Sequence, residues 1–386
     1  QARGTADRGR VHRSRDRAHP WARGPGYRRG GPGRDRRVDP GRDDTGAEEG
    51  RMKFGLEPVA EAQGAILAHS VDLGGRKLKK GVLIGPEEVA ALTAAGLPHV
   101  IVARLEPGEV AENAAADRLA RALVPDPDAA GLRLTQAFTG RVNLIADGPG
   151  VVVMDTDRLH TLNRAHSMIT LATVPPHQQM TEGGMVGTVK IIAYGVPGGA
   201  LDAACAAGQG AIRLARPVLR SATLIVTEIS GGAGDKGRKA IAGRLEALGM
   251  MLDTVEHVPH RAEPLAQAIA RATSDLILIL TGSATSDPAD VGPSALIAAG
   301  GQVARFGMPV DPGNLLFLGH IGDRPVIGLP GCARSPALNG ADWVLSRIAC
   351  GIPVSGDDIA GMGVGGLLKE IPTRPQPRAG RGRRDT

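Results

Sequence analysis

The sequence predicts an α/β protein in which a mixed α+β region precedes a three-layer domain, a mostly parallel sheet flanked by helices. Three observations lead to this prediction. Residues 276–280, LILIL, form an apolar run bounded by turn residues, which is typical of a strand buried on both faces of a parallel sheet. From about residue 216, strand and helix patterns alternate as in repeated βα units. Loops rich in Gly, Ser and Asp follow the strand patterns, where ligands bind in open α/β sheets.

The alternating elements occupy residues 216–355, a fitting size for one α/β domain. Apolar runs and β-branched residues predict its strands, and helical spacing bounded by Pro and Gly predicts its helices. The predicted strands are 222–229, 251–258, 276–280, 302–306, 315–318 and 325–328, and the predicted helices are 239–248, 264–272, 293–299 and 335–349.

Residues 52–215 mix helical and strand patterns without a phosphate-loop signature of their own. The spacing of apolar residues predicts helices at 57–66, 87–95, 109–123 and 157–165. Short apolar or β-branched runs predict strands at 99–105, 150–155, 169–173 and 185–196. We therefore expect a mixed α+β region here.

The net charge of +6 comes from residues 1–51, which hold 14 Arg, no Lys and 8 acidic residues (14 − 8 = +6). The rest of the chain is neutral, with 46 − 14 = 32 basic and 40 − 8 = 32 acidic side chains. We therefore expect no basic groove on the fold and no nucleic-acid partner. Residues 1–51 have too little apolar periodicity to fold, so we interpret them as a disordered extension rather than a nucleic-acid arm. Residues 356–386 are predicted to be a C-terminal linker and tail.

No apolar run approaches the roughly 18 residues of a membrane span, so no membrane association is expected. Cys205, Cys332 and Cys350 lie far apart without CxxC spacing. This pattern is more typical of a protein in the reducing cytoplasm than of a disulfide scaffold. No histidine motif accompanies Cys332, so we interpret it as a small side chain that packs in the fold rather than as a nucleophile. His257 and His260 lack nearby cysteines or an acidic cluster, and we interpret them as surface histidines rather than a metal pair.

Three loops are expected to meet at the carboxyl edge of the sheet. These loops are residues 227–235, 281–290 and 329–332. Their glycines allow close backbone approach, so that amides can converge on an anion. Ser283, Thr285 and Ser286 add hydroxyl donors, while Asp287 and Asp290 can hold a metal or orient a ligand. The alternative is that Gly, Ser and Asp are simply the ordinary residues of such loops.

The order of TGSATSDPAD, FGMPVDPGN and VIGLPG resembles the molybdopterin-binding domain of molybdenum-cofactor biosynthesis proteins, the Mog/gephyrin-like domain. The resemblance covers about residues 221–347. The family's loop has the form GG-x-S-x-G-x-x-D. Gly282 matches its first glycine, Thr285 its serine and Asp290 its terminal aspartate, while Ser283 and Asp287 replace glycines.

The resemblance implies a pterin ligand, molybdopterin or a nucleotide-linked form of it, and it allows a Mg²⁺ ion at Asp290. Asp287 and Asp290 would be the catalytic residues. The ligand-binding residues that it implies are Thr227, Gly231, Gly232, Asp235, Thr281, Gly282, Ser283, Thr285, Ser286, Pro312, Gly313, Asn314, Pro330 and Gly331.

The sequence departs from the molybdotransferase branch of this family. That branch carries a segment like K-P-G-K-P, whose lysines serve the pterin and its phosphates, where this chain has DPGNL at residues 311–315. No lysine lies between Lys239 and Lys369. The loss of both lysines weakens the prediction of metal insertion.

The segments EAQGAILAHSV and GMGVGGLLKEIPTRPQPR resemble a bacterial group in which this domain precedes a nucleotidyltransferase-like domain. We therefore expect the pterin-binding half of a system with a nucleotidyltransferase, without that catalytic domain, and a homo-oligomeric protein. Two alternatives stay open. The chain is an active molybdopterin molybdotransferase, or it is a non-catalytic scaffold or sensor that uses the same domain.

Overall fold

A small antiparallel sheet opens the part of the chain that the computed structural model describes, residues 52–231 and 235–368. The strand order of this sheet is β1-β5-β2, and one helix packs on it through Leu67, Leu92 and Val102. The elements are β1 (Lys53–Pro58), β2 (Ile66–Leu67), β3 (Val71–Asp72), β4 (Lys77–Leu78), α1 (Pro86–Ala94) and β5 (His99–Arg104).

The helix predicted at 57–66 is wrong. Glu57 and Pro58 end β1 and pair with β5 in an antiparallel ladder, Val59–Glu61 form a single 3-10 turn, and Ile66 begins β2. Gly64 has a φ of +79°, in the left-handed region that a right-handed helix does not use. The helix predicted at 87–95 and the strand predicted at 99–105 are confirmed as α1 and β5.

A second, larger core holds residues 109–215 together, with α2, α4 and α5 packed on antiparallel sheets. The sheet orders are β10-β12-β8-β7, β11-β9-β14 and β13-β6. The elements are β6 (Glu109–Ala111), α2 (Glu112–Leu123), α3 (Pro127–Ala130), β7 (Leu132–Leu134), β8 (Arg141–Ala146), β9 (Gly150–Met154), α4 (Thr156–Ala165), β10 (Ile169–Thr173), β11 (Gln179–Met180), β12 (Met185–Ile191), β13 (Gly195–Pro197), α5 (Gly198–Gly208) and β14 (Ile212–Ala215). The helix predicted at 109–123 loses its first three residues to β6, because they pair with β13.

A six-stranded sheet with the order β16-β15-β17-β20-β19-β18 forms the following domain. Its first four strands are parallel, and β19 and β18 are antiparallel additions. The elements are β15 (Ser221–Glu228), α6 (Arg238–Glu246), β16 (Met251–Pro259), α7 (Ala262–Arg271), β17 (Leu276–Leu280), α8 (Val291–Ala298), β18 (Gln302–Phe306), β19 (Phe317–Ile321), β20 (Arg324–Leu329), α9 (Gly340–Ala349) and α10 (Gly356–Gly361). The predicted fold class is confirmed. No helix among the described residues is long and apolar enough to cross a membrane.

The central strand β17 is covered on both faces, as its apolar run predicts. Leu276, Leu278 and Leu280 belong to a core that includes residues of α6 and α9. Ile277 and Ile279 point to the opposite face and share a core with residues of α7 and α8. Successive side chains alternate across a strand, so one five-residue run serves two helical layers.

The helix predicted at 335–349 begins five residues late, at Gly340. The side chain of Asn339 accepts a hydrogen bond from the Ala341 N–H at 2.9 Å, and Asp342 reaches back to the Asn339 N–H at 2.8 Å, which together form a capping box. A short 3-10 helix at Gly331–Arg334 occupies part of the segment before the cap. The segment after β20 is therefore a loop stiffened at both ends.

The region of residues 52–215 packs against the six-stranded domain near the end of α9. Val151 of β9, Ala215 of β14 and Cys350 form a small buried cluster there. Burial raises the pKa of the Cys350 thiol to about 11, so the thiol is protonated and unreactive at neutral pH.

Candidate functional site

The loops after β15 and β17 touch at the carboxyl edge of the sheet. The Gly282 N–H donates to the hydroxyl of Thr227, the next-to-last residue of β15, at 2.8 Å. A Cβ atom at Gly282 would lie 2.7 Å from the Thr227 carbonyl oxygen, closer than real Cβ contacts come. Glycine is therefore required at this position because of the close backbone approach.

Arg334 joins the loop after β20 to the other two. Its guanidinium donates to the Thr281 carbonyl oxygen at 2.6 Å and to the Lys236 carbonyl oxygen at 3.0 Å. Burial lowers the pKa of this guanidinium. We call the described residues of the three joined loops, 229–231 with 235–237, 281–290 and 330–338, the rim. The structure thus brings the predicted loop 281–290 against Thr227 of the first predicted loop, and Arg334 and Lys236, just beyond the predicted third and first loops, join the same edge of the sheet.

Two threonine hydroxyls, that of Thr281 and that of the predicted donor Thr285, lie inside the loop. Thr281 and Thr285 are buried, at 7% and 5% exposure, and their hydroxyl oxygens lie 3.1 Å apart. The Thr281 hydroxyl also donates to the Ser283 carbonyl oxygen at 2.7 Å. Ser283 and Ser286 are exposed, so these two are the hydroxyls of the loop that can meet a ligand.

His260 links Thr227 at the end of β15 to Ser283 in the loop after β17. Its interpretation from the sequence as a surface histidine missed this role. Its Nδ1 lies 2.7 Å from the Thr227 hydroxyl and its Nε2 lies 2.8 Å from the Ser283 hydroxyl. The signal that could have found it is its place directly after β16, the strand next to β15. His257 on β16 lies 2.9 Å from the Glu228 carboxylate.

The two predicted catalytic carboxylates both hold loop backbone. Asp290 is the N-cap of α8, and its oxygens accept from the N–H groups of Val291 at 2.7 Å and Ser286 at 3.1 Å. Asp287 accepts from the Ala289 N–H at 2.7 Å. The part of the chain that the structure describes contains no cluster of three His, Cys, Asp or Glu side chains that could hold a metal ion. These residues alone do not build a Mg²⁺ site, since Mg²⁺ held by one carboxylate needs ligand phosphate and water as well.

We expect Asp290→Ala to lower the free energy of unfolding by about 1 kcal/mol, because α8 loses its N-cap. Asp290→Asn keeps a capping oxygen and removes the charge, so its stability should stay near that of the parent. Urea denaturation of both variants measures the difference. Equal destabilisation by Asn and Ala would show that the charge, and not the cap, stabilises this loop.

The first glycine-rich loop contributes exposed residues to the rim. Gly231 and Asp235 are both exposed, and an Asp235 carboxylate oxygen lies 3.7 Å from His257 Nε2. The predicted site residue Gly232 lies outside the described residues.

The predicted turn at Pro312, Gly313 and Asn314 is tied to α9. The Pro312 carbonyl oxygen accepts from the Gly340 N–H at 2.9 Å, and the carbonyl oxygens of Gly313 and Asn314 accept from residues 316 and 308. Within residues 52–231 and 235–368, none of these three residues is hydrogen-bonded to residues 281–290.

Pro330 and Gly331 start the 3-10 helix of the third loop. The Pro330 carbonyl oxygen accepts from the Ala333 N–H at 2.9 Å, and a Cβ atom at Gly331 would face open space. Burial raises the pKa of the Cys332 thiol, which supports packing rather than nucleophilic chemistry.

A cavity of about 720 Å³ lies beside the rim, along the length of α6. Its lining includes Gly237, Lys239, Arg244, Arg334 and Asp342. No residue of 281–290 lines it, so the cavity flanks the rim at the third loop instead of lying between the first two. Lys239 is exposed, whereas Arg244 and Arg334 already donate to carbonyl oxygens. Lys239 is thus a basic group of this cavity that is open to a ligand.

Residues 221–348 match the family described as "Probable molybdopterin binding domain", and residues 57–104 match a "Domain of unknown function (DUF8806)". No curated protein matches the chain. Similar solved structures include a molybdopterin biosynthesis MoeA protein from Pyrococcus horikoshii, 14% identical over 77% of this chain and 75% of that one, with a TM-score of 0.28. Another is the molybdopterin biosynthesis enzyme MoaB from Thermus thermophilus, 18% identical over 39% of this chain and 100% of that one, with a TM-score of 0.25. The family match at residues 221–348 points to molybdopterin binding and to molybdenum-cofactor biosynthesis.

Proposed function

We propose that this chain binds molybdopterin, or a nucleotide-linked form of it, and presents it to a partner nucleotidyltransferase. The observation that carries the proposal is the rim, where loops from three parallel strands are hydrogen-bonded to each other inside the matched domain. Exposed Ser283 and Ser286 and the exposed Gly231 of the first loop suit a phosphorylated ligand. The cavity beside Arg334 has room for a pterin ring system.

In this proposal Lys239 takes over the phosphate contact that the missing lysines of the 311–315 segment would make. It lines the cavity from the first turn of α6, where the helix dipole also favours an anion. An exposed lysine contributes modestly, so we expect Lys239→Gln to weaken pterin binding about two- to fivefold, with unchanged stability. Lys77→Gln, an exposed lysine on β4, is the matched control.

The deciding experiment is anaerobic calorimetric titration of the full chain with molybdopterin. We expect saturable binding that weakens in Lys239→Gln and not in Lys77→Gln. The absence of saturable binding would contradict the proposal and leave the scaffold or sensor function.

The partner is tested separately. A nucleotidyltransferase should consume CTP or GTP faster when the pterin is supplied on this chain than when it is free. Incubation of the adenylylated pterin with molybdate and Mg²⁺ tests for molybdotransferase activity, and turnover there would overturn a purely binding role.

A further inference from the structure

A second cavity, of about 380 Å³, lies where the turn at residues 175–178 meets α9 and α10. His177, Trp343, Arg347 and Asp358 line it, and we call it the Arg347 cavity. It opens between the α+β region and the six-stranded domain.

Arg347 brings a cation to this cavity that has no direct ion pair among the described residues. Its Nε atom is buried and has no hydrogen-bond partner. Among the described residues, its guanidinium has no ion pair within 4 Å, and burial lowers the pKa of the group. A guanidinium carries five N–H donors, and a buried donor without a partner is destabilising. Among the described residues the two terminal amino groups of Arg347 make no hydrogen bond either, and they are the donors that an acceptor in the cavity would meet.

The acidic side chains of the cavity are engaged elsewhere. Asp358 accepts hydrogen bonds from the Ser355 N–H at 2.8 Å and from the Ser355 hydroxyl at 2.5 Å, in the capping box of α10. Asp342, on its border with the larger cavity, pairs with Arg244 at 2.5 Å. The negative charge of Asp358 lowers the positive potential around Arg347. Among the described residues, however, the two side chains form no salt bridge.

His177 occupies a backbone position that favours glycine. It has a φ of +59°, in a turn closed by a hydrogen bond from the Gln178 N–H to the Pro175 carbonyl oxygen at 3.2 Å. A side chain in the left-handed region is unfavourable by about 1–2 kcal/mol compared with glycine. Non-glycine residues in such positions cluster at ligand sites, where the side chain is used. Here that side chain lines the Arg347 cavity.

We propose that the Arg347 cavity is a second ligand site, which binds the carboxylate or phosphate group of a small molecule. Arg347 is the counter-ion, the His177 imidazole is an additional donor, and Trp343 forms the apolar wall. Arg recognises both groups through its planar fork of donors. The site is independent of pterin binding at the rim, so either proposal can fail alone.

The fluorescence of Trp343 tests the proposal directly. The chain has two tryptophans, Trp21 and Trp343, so the full chain with Trp21→Phe reports from the cavity alone. We expect saturable fluorescence changes on titration with inorganic phosphate, with succinate, or with both, and the two titrations distinguish the sources of the anion. No saturable change with either probe would overturn the proposal.

Two variants and one control, made in the Trp21→Phe chain, sharpen the test. Arg347→Met keeps the length of the side chain and should weaken anion binding about tenfold. His177→Gly should weaken it about threefold while the thermal midpoint stays the same or rises, because glycine suits the positive φ. Lys239→Gln, which alters the other cavity, should leave the Trp343 titration unchanged. Parent-like affinity in either Arg347→Met or His177→Gly would overturn the proposal.

Discussion

Replacement of Arg244 by methionine is expected to lower the free energy of unfolding by about 3–5 kcal/mol. The Arg244 side chain is 9% exposed and pairs with Asp342, which is 13% exposed, at 2.5 Å. The variant would leave the Asp342 carboxylate buried without its counter-ion. Breaking a buried pair by removing one partner is strongly destabilising for this reason.

Arg244 also holds the third loop of the rim. Its guanidinium donates to the carbonyl oxygens of Ala333, Ser335 and Ala337, at 2.8 to 3.0 Å. These carbonyl groups lie on either side of Arg334 and Pro336, so one side chain fixes the path of the loop from β20 to α9. We expect Arg244→Met to weaken pterin binding as well as to destabilise the fold.

Urea denaturation of Arg244→Met and of a control, Arg121→Met, measures the effect. Arg121 pairs with Asp117 at 2.7 Å, but both side chains are well exposed, at 71% and 41%. Exposed pairs contribute about 0–1 kcal/mol, so the control should unfold almost as the parent does. A loss below about 1 kcal/mol in Arg244→Met would show that water or a rearranged loop compensates Asp342.

The parallel sheet could be predicted from the sequence because its signals are local. The run at 276–280 and the helices bounded by Pro and Gly need no knowledge of distant residues. The predicted ends of the parallel strands place the loops that follow them at one edge of the sheet. In the structure, loop 281–290 is hydrogen-bonded there to Thr227 and Arg334. The predicted neighbourhood of the three loops is a consequence of the order of parallel strands.

The features that escaped prediction depend on distant partners. Segment 57–66 has helical spacing, but its first residues pair with β5. His260 and Arg244 act through contacts with residues 23 to 98 positions away, so the spacing within their own segments does not reveal these partners. The hydrogen bond from the Gly340 N–H to the Pro312 carbonyl oxygen, at the start of α9, is another long-range contact that the sequence did not predict, while the assignment of residues 312–314 to the ligand stays a prediction.

Thr227→Val is expected to weaken molybdopterin binding about 30- to 140-fold. Valine has nearly the shape of threonine but cannot accept from the Gly282 N–H or bond to His260. The two lost hydrogen bonds, of about 1–1.5 kcal/mol each, hold the rim in its binding geometry, and the affinity falls by this range because the ligand must then restore that geometry on binding. His260 also positions the Ser283 hydroxyl, at 2.8 Å, so the change spreads from β15 to the exposed part of the rim. Calorimetric titration measures the affinity.

The matched control lies on the same strand. Thr223 lies four residues before Thr227, away from the rim, and is buried, at 2% exposure. Its hydroxyl lies 2.9 Å from the hydroxyl of Ser274. We expect Thr223→Val and Thr227→Val to lower the free energy of unfolding by similar amounts, about 1–3 kcal/mol. Thr223→Val should bind molybdopterin with an affinity near that of the parent. If both variants weaken binding equally, affinity follows the global stability of the domain. If Thr227→Val binds molybdopterin as tightly as the parent does, the pterin is bound elsewhere. The affinity of a ligand bound at the rim depends on the hydrogen bonds that join the loops of the rim.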